Sequence, residues 1–78
     1  MAVVLKFSPS AKTIRSLHPT QVVCEYMTTE KDGKKLLQLN TYGSDERQIP
    51  GKLSQTLQID KTIARQLMDI LREEFGDA

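Results

Sequence analysis

The sequence predicts an α+β fold: a small antiparallel sheet of about four strands with one C-terminal helix packed on one face, in the order β-β-β-β-α. Three observations lead there. The alternating stretch Leu53–Ile59 runs directly into an amphipathic segment, residues 61–75. A hairpin signal, Asp32-Gly33, joins two strand-like runs upstream of it. The chain has 78 residues, the length of one domain. Residues 1–78 are therefore read as a single domain with its core in 21–75, preceded by an N-terminal strand and a connecting segment in 1–20.

The elements follow in chain order. Ala2–Phe7 alternates, with Val3, Leu5 and Phe7 on one side, and reads as a strand. Ser8-Pro9-Ser10 breaks it. Ala11–Leu17 is open to either a short helix or a loop, and His18-Pro19 ends it, because a residue before proline disfavours the α region. Gln21–Thr29 is rich in β-branched and aromatic residues. Lys35–Tyr42 is its return strand, and Gly43–Lys52 is a loop punctuated by Gly43, Pro50 and Gly51. Asp60 is a good N-cap residue for the helix, and Gly76 is the preferred residue just past its end.

Composition narrows the function classes. The formal net charge is +1, which is not that of a basic nucleic-acid tail. One cysteine and one histidine make neither an internal disulfide nor a four-ligand zinc site. A chain this short buries only about 60% of its unfolded surface, so oligomerisation is the remaining means of stabilising it. His18 reads as a turn residue, and Cys24 as a small hydrophobe on the core face of a strand. No nucleophile–base pairing and no glycine-rich phosphate loop is visible, so an enzyme, a metal or a cofactor is not expected. No signal peptide or apolar run of membrane-spanning length is seen, and the expected location is the reducing cytoplasm.

Register follows from the charges. If Glu25 faces solvent, then Val22, Cys24 and Tyr26 point inward with Leu37, Leu39, Leu57 and Ile59. The opposite face carries Val23, Glu25, Met27, Gln38, Asn40, Tyr42, Ser54, Thr56 and Gln58, with Lys34, Lys35, Arg47 and Lys52 at its rim. One reading makes this the solvated side of an antiparallel sheet. The other makes it a binding face for a single strand: Gln38 and Asn40 donate hydrogen bonds, Tyr42 stacks on a base, and the four cations meet phosphates.

The helix adds a second constraint. At about 100° per residue, Ile63, Ala64, Leu67, Met68, Ile70, Leu71 and Phe75 spread over an arc of about 160°. A stripe of about 100° is enough to face a core. The excess is covered either by the N-terminal segment or by a second copy meeting Ile63, Leu67, Met68, Leu71 and Phe75.

These residues resemble a known family. Leu36–Tyr42 is similar to the middle strand of the single-stranded-DNA-binding transcriptional coactivators called positive cofactor four. Ile49-Pro50-Gly51-Lys52 is similar to their loop, and Leu57-Gln58-Ile59-Asp60 with the helix to their closing strand and helix. The resemblance spans residues 21–75. It implies a homodimer through the C-terminal helices and single-strand binding by the sheet. This chain departs from the family in a loop poorer in lysine and in a helix without tryptophan. The expected function is a non-enzymatic, dimeric binder of single-stranded nucleic acid, DNA rather than RNA, involved in transcription regulation. The alternative is an accessory module that docks on another protein through its sheet face or helix.

Overall fold

A computed structural model of the chain describes residues 1–43 and 53–76. Strands β1 (Ala2–Val3), β2 (Cys24–Lys31), β3 (Lys34–Tyr42) and β4 (Leu53–Ile59) precede the helix α1 (Lys61–Phe75). The strands form one four-stranded sheet in the order β1-β4-β3-β2. The α+β architecture is the predicted one. The sheet is mixed, however, since β1 runs parallel to β4. That pair is short: Ala2 faces Leu57, Val3 faces Gln58, and the Val4 N–H donates to the Gln58 carbonyl at 3.0 Å.

Local sequence explains each junction. Asp32 (φ 54°) and Gly33 (φ 77°) take the two left-handed positions of a two-residue hairpin closed by Lys31 and Lys34. The Asp60 carboxylate accepts the Ile63 N–H at 2.9 Å, which caps α1. At the other end Gly76 (φ 68°) donates its N–H to the Arg72 carbonyl at 2.8 Å. β4 carries one extra residue opposite the Thr41–Tyr42 step, where the register shifts.

Residues 4–23 form neither strand nor helix, so the short helix considered for 11–17 is absent, and the first strand is two residues rather than six. Ser10 and His18 organise local turns instead. The Ser10 hydroxyl accepts the Lys12 N–H, and His18 Nδ1 accepts the Thr20 N–H, each at 3.1 Å.

The register is the predicted one: Tyr26, Leu39 and Leu57 stand side by side, as do Thr28, Leu37 and Ile59. The burial differs. Only Ile59 and Ile63, each 3% exposed, form a closed apolar core among the described residues. α1 meets the sheet at β3, and Met68, Ile70, Leu71 and Phe75 farther along the helix stay exposed. Tyr26 on the same face is 75% exposed, and Cys24 is exposed as well. Cys24 is thus on the expected face but not packed in a core. It should label rapidly with a thiol reagent in the native protein. Cys24→Ala should change stability by less than about 0.5 kcal/mol, measured by urea unfolding.

The open helix has a consequence for stability. An isolated helix of this length is marginal in water. Leu67 is half-buried, but Met68, Ile70 and Leu71 are exposed and Phe75 is 70% exposed. The N-terminal segment does not cover them: Ile14 and Leu17 point to solvent themselves. It reaches the helix through the Phe7 N–H, which donates to Gln66 Oε1 at 3.3 Å. The chain exposes 7427 Å², against about 4,800 Å² for a compact protein of its mass. Part of that excess belongs to residues 8–23, which are exposed throughout.

Candidate functional site

Alternation along the strands puts Gln38, Asn40 and Tyr42 of β3, Thr56 and Gln58 of β4, and Met27 of β2 on one face, opposite the Leu39–Leu57 side. Cross-strand pairing brings Gln38 against Gln58 and Asn40 against Thr56. Their side chains form one connected network. Gln58 Nε2 donates to Gln38 Oε1 at 2.9 Å, and Gln38 Nε2 donates to Asn40 Oδ1 at 3.0 Å. The Thr56 hydroxyl donates to the same Asn40 oxygen at 3.1 Å. Asn40 Nδ2 lies 3.5 Å from the Tyr42 hydroxyl and 4.0 Å from Met27 Sδ.

Asn40 and Thr56 are 7% and 6% exposed, and they are the most buried polar residues described. The centre of this face is therefore not solvated, contrary to the simplest reading of its composition. A buried amide is costly unless paired, and Asn40 is paired through both its oxygen and its nitrogen. Around that centre Gln38, Gln58 and Tyr42 are half-buried. The network fixes their orientation and leaves hydrogen-bonding capacity free: the Gln58 carbonyl oxygen, a second N–H on each glutamine, and the Tyr42 O–H proton. The arrangement is a rigid amide platform with a tyrosine ring at one end.

The cations are distributed differently from expectation. Lys34 lies on the network face, in line with Leu36, Gln38 and Asn40. Lys35 follows it in the strand and so lies on the opposite face, with Leu37 and Leu39. Lys31 pairs with Lys34 across the hairpin and shares its face. It is the cation that the sequence reading missed. Strand parity was the signal that could have found it. Arg47 and Lys52 lie outside the described residues.

The proposed dimer residues also divide. Ile63 is buried within the protomer and has no surface left to give a partner. It is a core residue in the first turn of α1, which Asp60 caps directly after β4. Leu67 bridges the two environments. Met68, Leu71 and Phe75 line a shallow open hollow with Arg72 and Gly76.

Among the described residues no group of three or more His, Cys, Asp or Glu side chains converges to hold a metal. No described helix is long and apolar enough to cross a membrane. No protein-family model matches the chain, and neither a curated protein nor a solved structure matches it.

Proposed function

We propose that this chain is a non-enzymatic binder of single-stranded nucleic acid, DNA rather than RNA, that acts as a homodimer. The observation that carries the reading is the hydrogen-bonded platform of Gln38, Asn40, Thr56 and Gln58, with Tyr42 at its end. Single strands are held by a ring on which a base stacks, by cations on phosphates and by sequence-tolerant polar contacts. Tyr42 supplies the ring, Lys31 and Lys34 the charge, and the glutamine amides the polar contacts. The similarity of Leu36–Tyr42 and Leu57–Asp60 to the positive cofactor four family supports the same reading.

Homodimerisation is supported by the uncovered stripe of Leu67, Met68, Leu71 and Phe75. A stable interface removes about 800 Å² from each partner, well within the excess surface of this protomer. The second reading, a module that docks on a different protein, draws on the same apolar stripe and on Tyr26 and Leu57, both open on the other side of the sheet.

Two substitutions separate the contributions, read by fluorescence anisotropy on a labelled single strand. Tyr42→Ala should lose about 1–3 kcal/mol of binding with little change in salt slope. Lys34→Ala should weaken binding similarly across sequences and flatten the salt slope by about 0.7. Lys35→Ala, on the other face, should do neither. Equal losses from Lys34→Ala and Lys35→Ala would mean that the network face is not the surface used.

A further inference from the structure

Among the described residues no strand pairs with the outer edge of β2. β2 is the last strand in the sheet, it is eight residues long, and every residue in it is exposed. It has no proline and no bulge to blunt it. The hydrogen-bond phase of the β2–β3 ladder says which groups are free. The Tyr42 N–H donates to the Val23 carbonyl at 3.2 Å, and Val23 stands one step before the Cys24–Thr41 pair. In an antiparallel ladder bonded pairs alternate, so Glu25, Met27, Thr29 and Lys31 bond to β3. The backbone N–H and C=O groups of Cys24, Tyr26, Thr28 and Glu30 therefore point into the open edge.

We propose that β2 pairs antiparallel with β2 of a second copy about a two-fold axis at Thr28, joining the two sheets into one. Any register that sets outward-pointing residues opposite one another satisfies the ladder. Axes at Tyr26, Met27, Thr28 and Thr29 all do so. The charges choose among them. Only the axis at Thr28 sets Glu25 of one copy opposite Lys31 of the other, and does so twice by symmetry. The other three set Glu25 and Lys31 opposite uncharged residues. Opposite charges on directly facing positions favour a pairing, and like charges oppose it. In this register Thr28 exchanges both backbone bonds with its counterpart, and Tyr26 exchanges them with Glu30 on either side.

The geometry has a consequence for the platform. Facing residues in a ladder point to the same side. Glu25 and Lys31 lie on the network side, so the two platforms share one side of the enlarged sheet. The edge contact is separate from the helix stripe and does not depend on nucleic-acid binding. Two different two-fold contacts build assemblies larger than a dimer.

The test is disulfide trapping in the full-length chain. In Cys24→Ser/Thr28→Cys the facing cysteines have Cα atoms about 5.5 Å apart, inside the disulfide range. Mild oxidation should give a covalent dimer. Native Cys24 lies eight positions from its counterpart, about 27 Å at strand rise, and should not crosslink under the same conditions. Adding Glu25→Lys or Lys31→Glu alone should slow trapping at least about tenfold, and the two together should restore it to within about twofold. Equal trapping at positions 24 and 28, or no recovery in the double reversal, would overturn the register. Recovery in the double reversal together with no oligonucleotide binding by the wild-type chain leaves the edge pairing intact and removes only the nucleic-acid reading.

Discussion

Leu71→Asp should abolish the proposed contact between the helices of two copies. Leu71 lies with Met68 and Phe75 on the part of α1 that neither the sheet nor the N-terminal segment covers. A carboxylate there must be desolvated to enter an apolar contact. A two-fold interface meets the change twice, so the dissociation constant should rise at least about a hundredfold, close to 3 kcal/mol. Helix content should fall with it, because the protomer anchors the helix mainly through its first turn. Sedimentation equilibrium at tens of micromolar, a range set by ordinary association energies, checks the first effect and circular dichroism the second. The control is Ile63→Ala, which should lower the stability of the fold, since Ile63 is closed within the protomer. A wild-type chain that stays monomeric at that concentration would remove the helix contact from the account.

Asn40→Ala should have the largest effect of any change on the polar face. Asn40 Oδ1 accepts from both Gln38 and Thr56, and its nitrogen faces Tyr42 and Met27. Truncation leaves a buried threonine hydroxyl and a half-buried glutamine amide without their acceptor. The cost should be about 1–3 kcal/mol. For a domain of this size each kcal/mol corresponds to about 4–8 °C in Tm. Thr56→Val keeps the shape and removes one of two donors to that oxygen, so it should cost less than about 1 kcal/mol. Asn40→Ala should also weaken oligonucleotide binding more than its own exposure suggests, because it frees the glutamines that it orients. Thermal melts of the two variants check the ordering. Equal costs would show that Asn40 is not the node of the network.

The parts of the fold legible in the sequence are those fixed by local chemistry. Asp32-Gly33 fixed the hairpin, because both positions need positive φ. Asp60 and Gly76 fixed the ends of the helix. The register of β2, β3 and β4 followed from sending Glu25 away from the leucines, since a slip of one residue reverses every side chain. The grouping of Gln38, Asn40, Tyr42, Thr56 and Gln58 came from the same alternation.

The rest depends on contacts between distant segments. The parallel β1–β4 pair rests on two residues, and nothing in Ala2-Val3 specifies Leu57 and Gln58 as its partners. Tyr26 and Cys24 face the side expected, but the sequence does not say how far along the sheet the helix reaches. The burial of Asn40 and Thr56 was hidden for the same reason: polar residues read as solvated until their partners are known. Lys35 is a different case. It is adjacent to Lys34 in a strand, so the two cannot share a face, and parity alone could have exchanged it for Lys31.

The most direct test of the account is a titration of the wild-type chain with a labelled single strand and with the matching duplex, at about 50 and 200 mM salt, the span over which phosphate contacts are lost. The single strand should bind saturably at low salt, with a clear preference over the duplex and a steep loss of affinity at the higher salt. No binding of the single strand at low salt, where electrostatic attraction is strongest, would contradict it and leave the protein-docking reading in its place.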